Sequence, residues 1–191
     1  MNRILVANMT REEARDYSRE RRYCQLVSRD GYDLGFASEE FMHDYKGRGI
    51  RYHQAVRLLV WAPNSKDMLF RWSDSAWDST VYGHLYYKEW EVEALHRLVN
   101  EQIKIDEPEM SMENILTRTN KLFSLDPCVA TGMELVNVYS MTLRYSEILE
   151  SHAPILSMYP RDVEEKAVAN ELPTTHTLNL ALEELNSKYI F

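Results

Sequence analysis

Scanned for hydrophobic period alone, the chain separates into short alternating or apolar runs and longer runs with helical spacing. Residues 10–22, TREEARDYSRERR, open with a threonine cap and Glu12–Glu13 and then alternate in sign, the pattern of an exposed helix. YCQLVSRDGYDLGFAS sets two short apolar runs around Asp30-Gly31, which predicts a hairpin. FMHDYKGRGIRYH, with two glycines between His43 and His53, reads as a loop. HQAVRLLVWAP is a strongly β-prone run closed by Pro63-Asn64-Ser65, and KDMLFRW is its expected hairpin partner. The strand-like STVY leads through a tight Gly83-His84 turn into a helix with Val92, Leu95, Val99 and Ile103 on its core face. EPEMSMENILTRTNKLF reads as a loop and then a helix capped by Ser111, and GMELVNVYSMTLRY as the last strand. YPRDVEEKAVANEL reads as a short acidic turn, before a C-terminal amphipathic helix with Leu178, Leu182 and Leu185 inward.

Hairpin, strand pair, helix, strands and helix in that order predict an α+β fold, an αβα sandwich with a mixed central sheet rather than a doubly wound one. The expected division is an N-terminal helical extension, 1–22, and one domain over 23–191. No phosphate-cradling GxGxxG or GxxxxGK[ST] is present.

Charge narrows the partners. Asp and Glu number 30 against 22 Lys and Arg, a net charge of −8, which argues against broad nucleic-acid binding. Two cysteines, Cys24 and Cys128, have no CxxC spacing, so a cysteine-built zinc site is excluded and a reduced cytoplasmic setting is the simpler expectation. No run approaches the ~18 apolar residues of a membrane span. The charged N-terminal helix and the apolar C-terminal helix also leave room for a homodimer.

The chemistry concentrates around VYGHLYYKEWEVEALHRLVNEQIKI. Glu89, Glu93, Arg97 and Glu101 recur at steps of four, so on a helix they form one slowly drifting stripe. Such a stripe is either a solvated face with weak ion pairs or part of a metal-binding helix.

These residues resemble the Nudix box, G-x5-E-x7-R-E-U-x-E-E-x-G-U with U apolar. Gly83 takes the first glycine, Glu89 the first glutamate, Arg97 the arginine, Val99 the apolar place, Glu101 the first paired glutamate and Ile105 the last position. Leu98, Gln102 and Lys104 depart from it, replacing two glutamates and a glycine. The flanks, His53 at a strand start, WDSTVYGH before the helix and RDGYDLGFASEEFMH upstream, are similar to the isopentenyl-diphosphate isomerase branch of the Nudix superfamily. The likeness runs from about Cys24 to Arg144.

That resemblance implies a Nudix-like fold and a metal site at His43, His53 and His84, with Glu134 in MELVNVY matching the acidic ligand of a later strand. It implies a divalent metal, Mg²⁺ or Mn²⁺; three imidazoles and a carboxylate suit Mn²⁺, Fe²⁺ or Zn²⁺ better than Mg²⁺. The isomerase cysteine is replaced by Tyr82, a poorer proton shuttle, and the lysine that would grip diphosphate by Glu39. The expectation is therefore a Nudix-type protein acting on a small organic diphosphate, nucleoside or prenyl, with weakened activity. Glu101 and Tyr82 would be its catalytic residues, and Arg71, Arg57 and Trp77 would hold substrate. Glu101 and Glu134 would join the histidines in holding metal. The alternatives are an inactive Nudix-fold binding module and, less favoured, an isomerase.

Overall fold

The computed structural model describes residues 9–43, 51–63, 65–105, 111–143, 148–151 and 153–188. Its first element is helix α1 (Arg11–Glu20), closed at its start by a reciprocal cap. The Thr10 hydroxyl accepts from the Glu13 N–H at 3.2 Å, and the Glu13 carboxylate accepts from the Thr10 N–H at 2.8 Å. Strands β1 (Tyr23–Val27) and β2 (Asp33–Ser38) form the anticipated hairpin, with Gly31 at φ 85° supplying the left-handed turn residue. A short helix, α2 (Glu39–His43), follows at the start of the expected loop.

The central strand is β3 (Tyr52–Trp61). Along one edge β9 (Glu134–Thr142) runs parallel to it, from His53 opposite Glu134 to Trp61 opposite Thr142. Three antiparallel strands share the other edge: β1 at Tyr52 and His53, β6 (Val81–His84) at 55–58, and β4 (Met68–Ser73) at Val60 and Trp61. Strand β4 also pairs β5 (Ala76–Ser79) and β11 (Ile155–Met158), and β8 (Asn120–Leu125) pairs β9. The nine-stranded sheet is thus mixed. β7 (Ile103–Ile105) and β10 (Ile148–Ser151) make a separate pair.

Alternation along β3 sorts the layers, because successive strand side chains point to opposite faces. Val56, Leu58 and Val60 meet Ala94, Leu95, Leu98 and Val99 of α3 (Glu91–Gln102) and Ile115 of α4 (Met112–Arg118). Ala55 and Leu59 meet Val163 of α5 (Pro160–Val168) and Leu178, Leu182 and Leu185 of α6 (His176–Lys188). The result is the α+β sandwich expected from the element order, and the three leucines of the last helix face inward as expected. Among the described residues no helix is long and apolar enough to cross a membrane.

Three segments differ from the sequence reading. The supposed acidic turn is α5, which starts on Pro160, where a missing N–H costs nothing. NKLF, which the spacing predicts as the end of a helix, belongs instead to β8. Gly83 and His84 are not a turn: they finish β6, and the chain reverses later, around Lys88 at φ 64°.

Helix α1 is bound to the start of α3 by charge. Its arginines stand four apart on one face, and Arg11 and Arg15 grip the two oxygens of Glu93, Arg15 at 2.7 Å, while Arg19 reaches Glu89 at 2.7 Å. Burial pushes the Glu93 carboxyl up, but the Trp90 N–H and the two guanidinium groups outweigh it and hold it below its ordinary value. A carboxylate depressed in the folded state stabilises above its unfolded pKa, and that contribution disappears as pH falls through the folded one. Acidification below the ordinary carboxylate range should therefore release α1 first. Hydrogen exchange at its amides should accelerate at a higher pH than exchange in β3, and Glu93→Gln should remove that difference.

Candidate functional site

The sheet register explains why three residues far apart in sequence meet. His53 on β3 lies opposite Glu134 on β9, and two residues further along β3 Ala55 lies opposite His84 on β6. All of these side chains share the parity of Arg57 and Leu59, so they project toward the α5 and α6 layer. Ala55, with one methyl group, leaves space between the two rings. His53 Nε2 stands 3.2 Å and His84 Nε2 2.8 Å from the same oxygen, Glu134 Oε1, and the ring centroids are 5.0 Å apart. The Tyr82 hydroxyl donates to the other oxygen, Glu134 Oε2. His53 and Glu134 are buried, and the His84 side chain is 12% exposed.

The charges of this group follow from its contacts. Burial raises the Glu134 carboxyl, yet the hydrogen bonds from His53 and His84 prevail and hold it well below the usual carboxylate range. Burial lowers His84, but its hydrogen bonds to Cys24, Glu134 and Glu39 reverse that and raise it well above an ordinary imidazole. Burial and the adjacent Glu134 charge push the Tyr82 phenol up, so Tyr82 stays protonated and a donor.

Two imidazole nitrogens and a carboxylate oxygen lie within 4.8 Å of one another. Ligand atoms about 2.1 Å from one ion stand about 3.0 Å apart when cis in an octahedron and about 3.4 Å apart in a tetrahedron. The observed 2.8 and 3.2 Å separations are compatible with cis ligands of one ion. Two nitrogens and one carboxylate are the donor set of a transition metal rather than Mg²⁺.

The other expected site residues are distributed unevenly. His43 ends α2, and its side chain lies outside the described residues. Glu101 sits on the exposed outer side of α3, paired with Arg97 at 3.3 Å, on the opposite layer from the cluster. Arg57 shares the cluster's face, its guanidinium 4.6 Å from the centre of the Tyr82 ring. It is fully buried and already neutralised: Nη1 donates to Asp78 and, at 3.0 Å, to Ser79, while Nε and Nη2 find no acceptor among the described residues. Arg71 donates to the Thr80 carbonyl at 3.2 Å and to Gln102 at 3.0 Å. Trp77 packs into the same apolar layer as α6, edge-on to Trp72 at 5.2 Å. Sequence reasoning did not find Asp78, Cys24 or the contact of Glu39 with His84; no spacing rule marks residues that meet across separate strands.

The box residues divide by role. Glu89 lies before α3 rather than on it, so the step-of-four row is not one helical stripe. Its fully buried carboxylate takes Arg97 at 3.0 Å, Arg19 at 2.7 Å and the Tyr86 N–H at 3.0 Å. Arg97 also donates to the His84 carbonyl at 2.9 Å. Leu98 lies in the core, 4% exposed, where it fills the space above Gly83. The Gln102 carboxamide uses both ends: its oxygen accepts from Arg71 and from the Tyr82 N–H at 3.3 Å, and its nitrogen donates to the Tyr82 carbonyl at 2.8 Å.

No protein-family model matches the chain, and no curated protein sequence matches it. Among solved structures it is similar to DR0079 from Deinococcus radiodurans, a protein of Nudix fold. The TM-score is 0.67 at 16% identity, over 85% of this chain and 97% of that one. A second similarity is to the E. coli dihydroneopterin triphosphate pyrophosphohydrolase, with TM-score 0.47 at 14% identity, over 71% of this chain and 95% of that one. The fold assignment rests on the first.

The packing at the box is testable by a mutant cycle. A Cβ at position 83 would stand 2.5 Å from Leu98 Cδ2, so Gly83→Ala should cost about 1–3 kcal/mol in urea unfolding. In a Leu98→Ala background the same change should cost clearly less. Gln102→Glu removes the donor to Tyr82 and sets a carboxylate against that carbonyl, an expected loss of about 1–3 kcal/mol in the same measurement.

Proposed function

We propose that this chain, which has the Nudix fold, holds one divalent transition metal between His53, His84 and Glu134 and acts through it on a small organic diphosphate, nucleoside or prenyl. The observation that carries this reading is the convergence of those three ligand atoms on one buried face of the sheet. His43, assigned to the metal by resemblance to the isomerase branch, would add a third imidazole. A bound divalent ion would supply Lewis-acid polarisation of a phosphoryl oxygen.

The chain's own groups have separable parts in this reading. Glu134 presents Oε1 to the metal position while Tyr82 keeps Oε2 hydrogen-bonded, which fixes the rotation of the carboxylate. Tyr82, held protonated, is the proton donor nearest Glu134. Arg57 offers its Nε and Nη2 to a substrate oxygen, although Asp78 leaves it no net charge for a phosphate. Neutralisation of a diphosphate would then fall chiefly to the metal. Trp77 supplies an apolar wall on the same face.

Hydrolysis by carboxylates of the box helix is disfavoured. Leu98 is in the core, Gln102 is committed to the Tyr82 backbone, and Glu101 is on the far layer. Those same three facts favour a second reading, a Nudix-fold module that binds its ligand without turnover. Isomerisation is the least supported, since a phenol whose pKa burial raises is a poor substitute for a thiol.

The test is metal analysis of the purified protein, followed by phosphate release from nucleoside and prenyl diphosphates with Mg²⁺, Mn²⁺ and Zn²⁺. Near-stoichiometric transition metal that is absent in His84→Ala and retained in Glu101→Ala supports the site, and release with the wild type supports an enzyme. Metal without release leaves the binding module. Absence of metal binding in the wild type rejects the reading.

A further inference from the structure

Glu39 stands where the resemblance calls for a diphosphate-gripping lysine, and its position is not that of a substrate ligand. Its Oε1 is 3.3 Å from His84 Nδ1, the ring nitrogen that faces away from Glu134, and its Oε2 is 2.6 Å from an Arg22 guanidinium nitrogen. The backbone fixes both partners. Glu39 N–H donates to the Arg22 carbonyl at 3.0 Å, directly beyond the Tyr23–Ser38 pair that closes the β1–β2 hairpin. Arg22 is itself at φ 52°, so the chain turns sharply there to bring α1 down onto the hairpin end.

We propose that Glu39 is the positioning residue of the His53–His84–Glu134 centre, accepting the Nδ1–H of His84 and thereby aiming the Nε2 lone pair at the metal. This rests on the metal reading given above. A neutral imidazole carries one N–H, and the nitrogen with the better acceptor keeps it. With an ion held at Nε2, that nitrogen would present its lone pair and the ring's one proton would remain at Nδ1 against Glu39. Glu39 restrains the ring at Nδ1, and the Arg97 contact to the His84 carbonyl anchors the backbone that carries it. His84 is thus held in the carboxylate–histidine–metal arrangement, in which the outer carboxylate raises the basicity of the ligand and fixes its tautomer. The exchange of lysine for glutamate moves this position from gripping substrate to aiming a ligand. Arg22 keeps the carboxylate in place.

The experiment compares wild type, Glu39→Ala, Glu39→Gln and Arg22→Ala. Zn²⁺ and Mn²⁺ affinity is measured by competition with a chelating dye. Long-range ¹H–¹⁵N spectra of the His84 ring are recorded on the metal-free proteins at alkaline pH, where the ring is neutral. Glu39→Ala should weaken metal binding by about 10- to 100-fold, the usual cost of removing such an outer partner. Glu39→Gln, whose amide oxygen still accepts from Nδ1–H, should recover most of it, which a merely structural role would not produce. The Nδ1 resonance should shift in Glu39→Ala and stay near its wild-type position in Glu39→Gln. Wild-type affinity in Glu39→Ala overturns the proposal and leaves the metal reading intact. If the wild type binds no metal, the ring spectra decide alone: identical Nδ1 signals in wild type and Glu39→Ala overturn the positioning role as well.

Discussion

The alternation of side chains along β3 is the constraint on which the rest of the molecule depends. Even-numbered residues from Val56 to Val60 build the core against α3, and odd-numbered ones from His53 to Leu59 face α5 and α6. The parallel pairing with β9 and the antiparallel pairing with β6 carry the same parity outward, so Glu134 and His84 have no choice of side once His53 and Ala55 are set. A slip of one residue in either pairing would exchange valine for a charged or imidazole side chain in the core. Core and candidate chemistry are thus specified by one register.

That division changes the meaning of the box. Two of the residues that match it, Glu89 and Arg97, form a buried ion pair that ties the loop before α3 to the backbone of His84. Where the Nudix box has further glutamates, this chain has a core leucine and a carboxamide cross-link. Both residues seat the helix on the sheet: Leu98 adds apolar burial, and Gln102 satisfies two backbone groups at the edge of β6. Any metal chemistry is left to the opposite layer.

Much of the fold was legible because local rules agree with the tertiary arrangement. The Thr10 cap, the Asp30-Gly31 hairpin, the β-branched run of β3 and the leucine spacing of α6 each state their structure locally. The misreadings share a cause: local chemistry that serves a distant partner. Gly83 carries the local signature of a turn glycine, but it is a strand residue left bare so that Leu98 can approach. The four-step row is a coincidence of numbering, since Glu89 reaches Arg97 from a loop. His53, His84 and Glu134 could be named from the resemblance alone; their convergence, and the contact of Glu39 with His84, depend on strand pairing that no single-sequence pattern encodes.

The arginine face of α1 has a consequence for the order in which the protein is assembled. The carboxylates it grips lie 70 to 82 residues further along the chain. A nascent chain leaving the ribosome therefore exposes the arginine face of this helix well before the carboxylates it grips have been synthesised. Until Glu89 and Glu93 emerge, Arg11, Arg15 and Arg19 face solvent, and the helix has only its own cap to hold it. Closure of this helix onto the sheet is thus a late event, completed only after the segment that carries Glu89 and Glu93 has emerged.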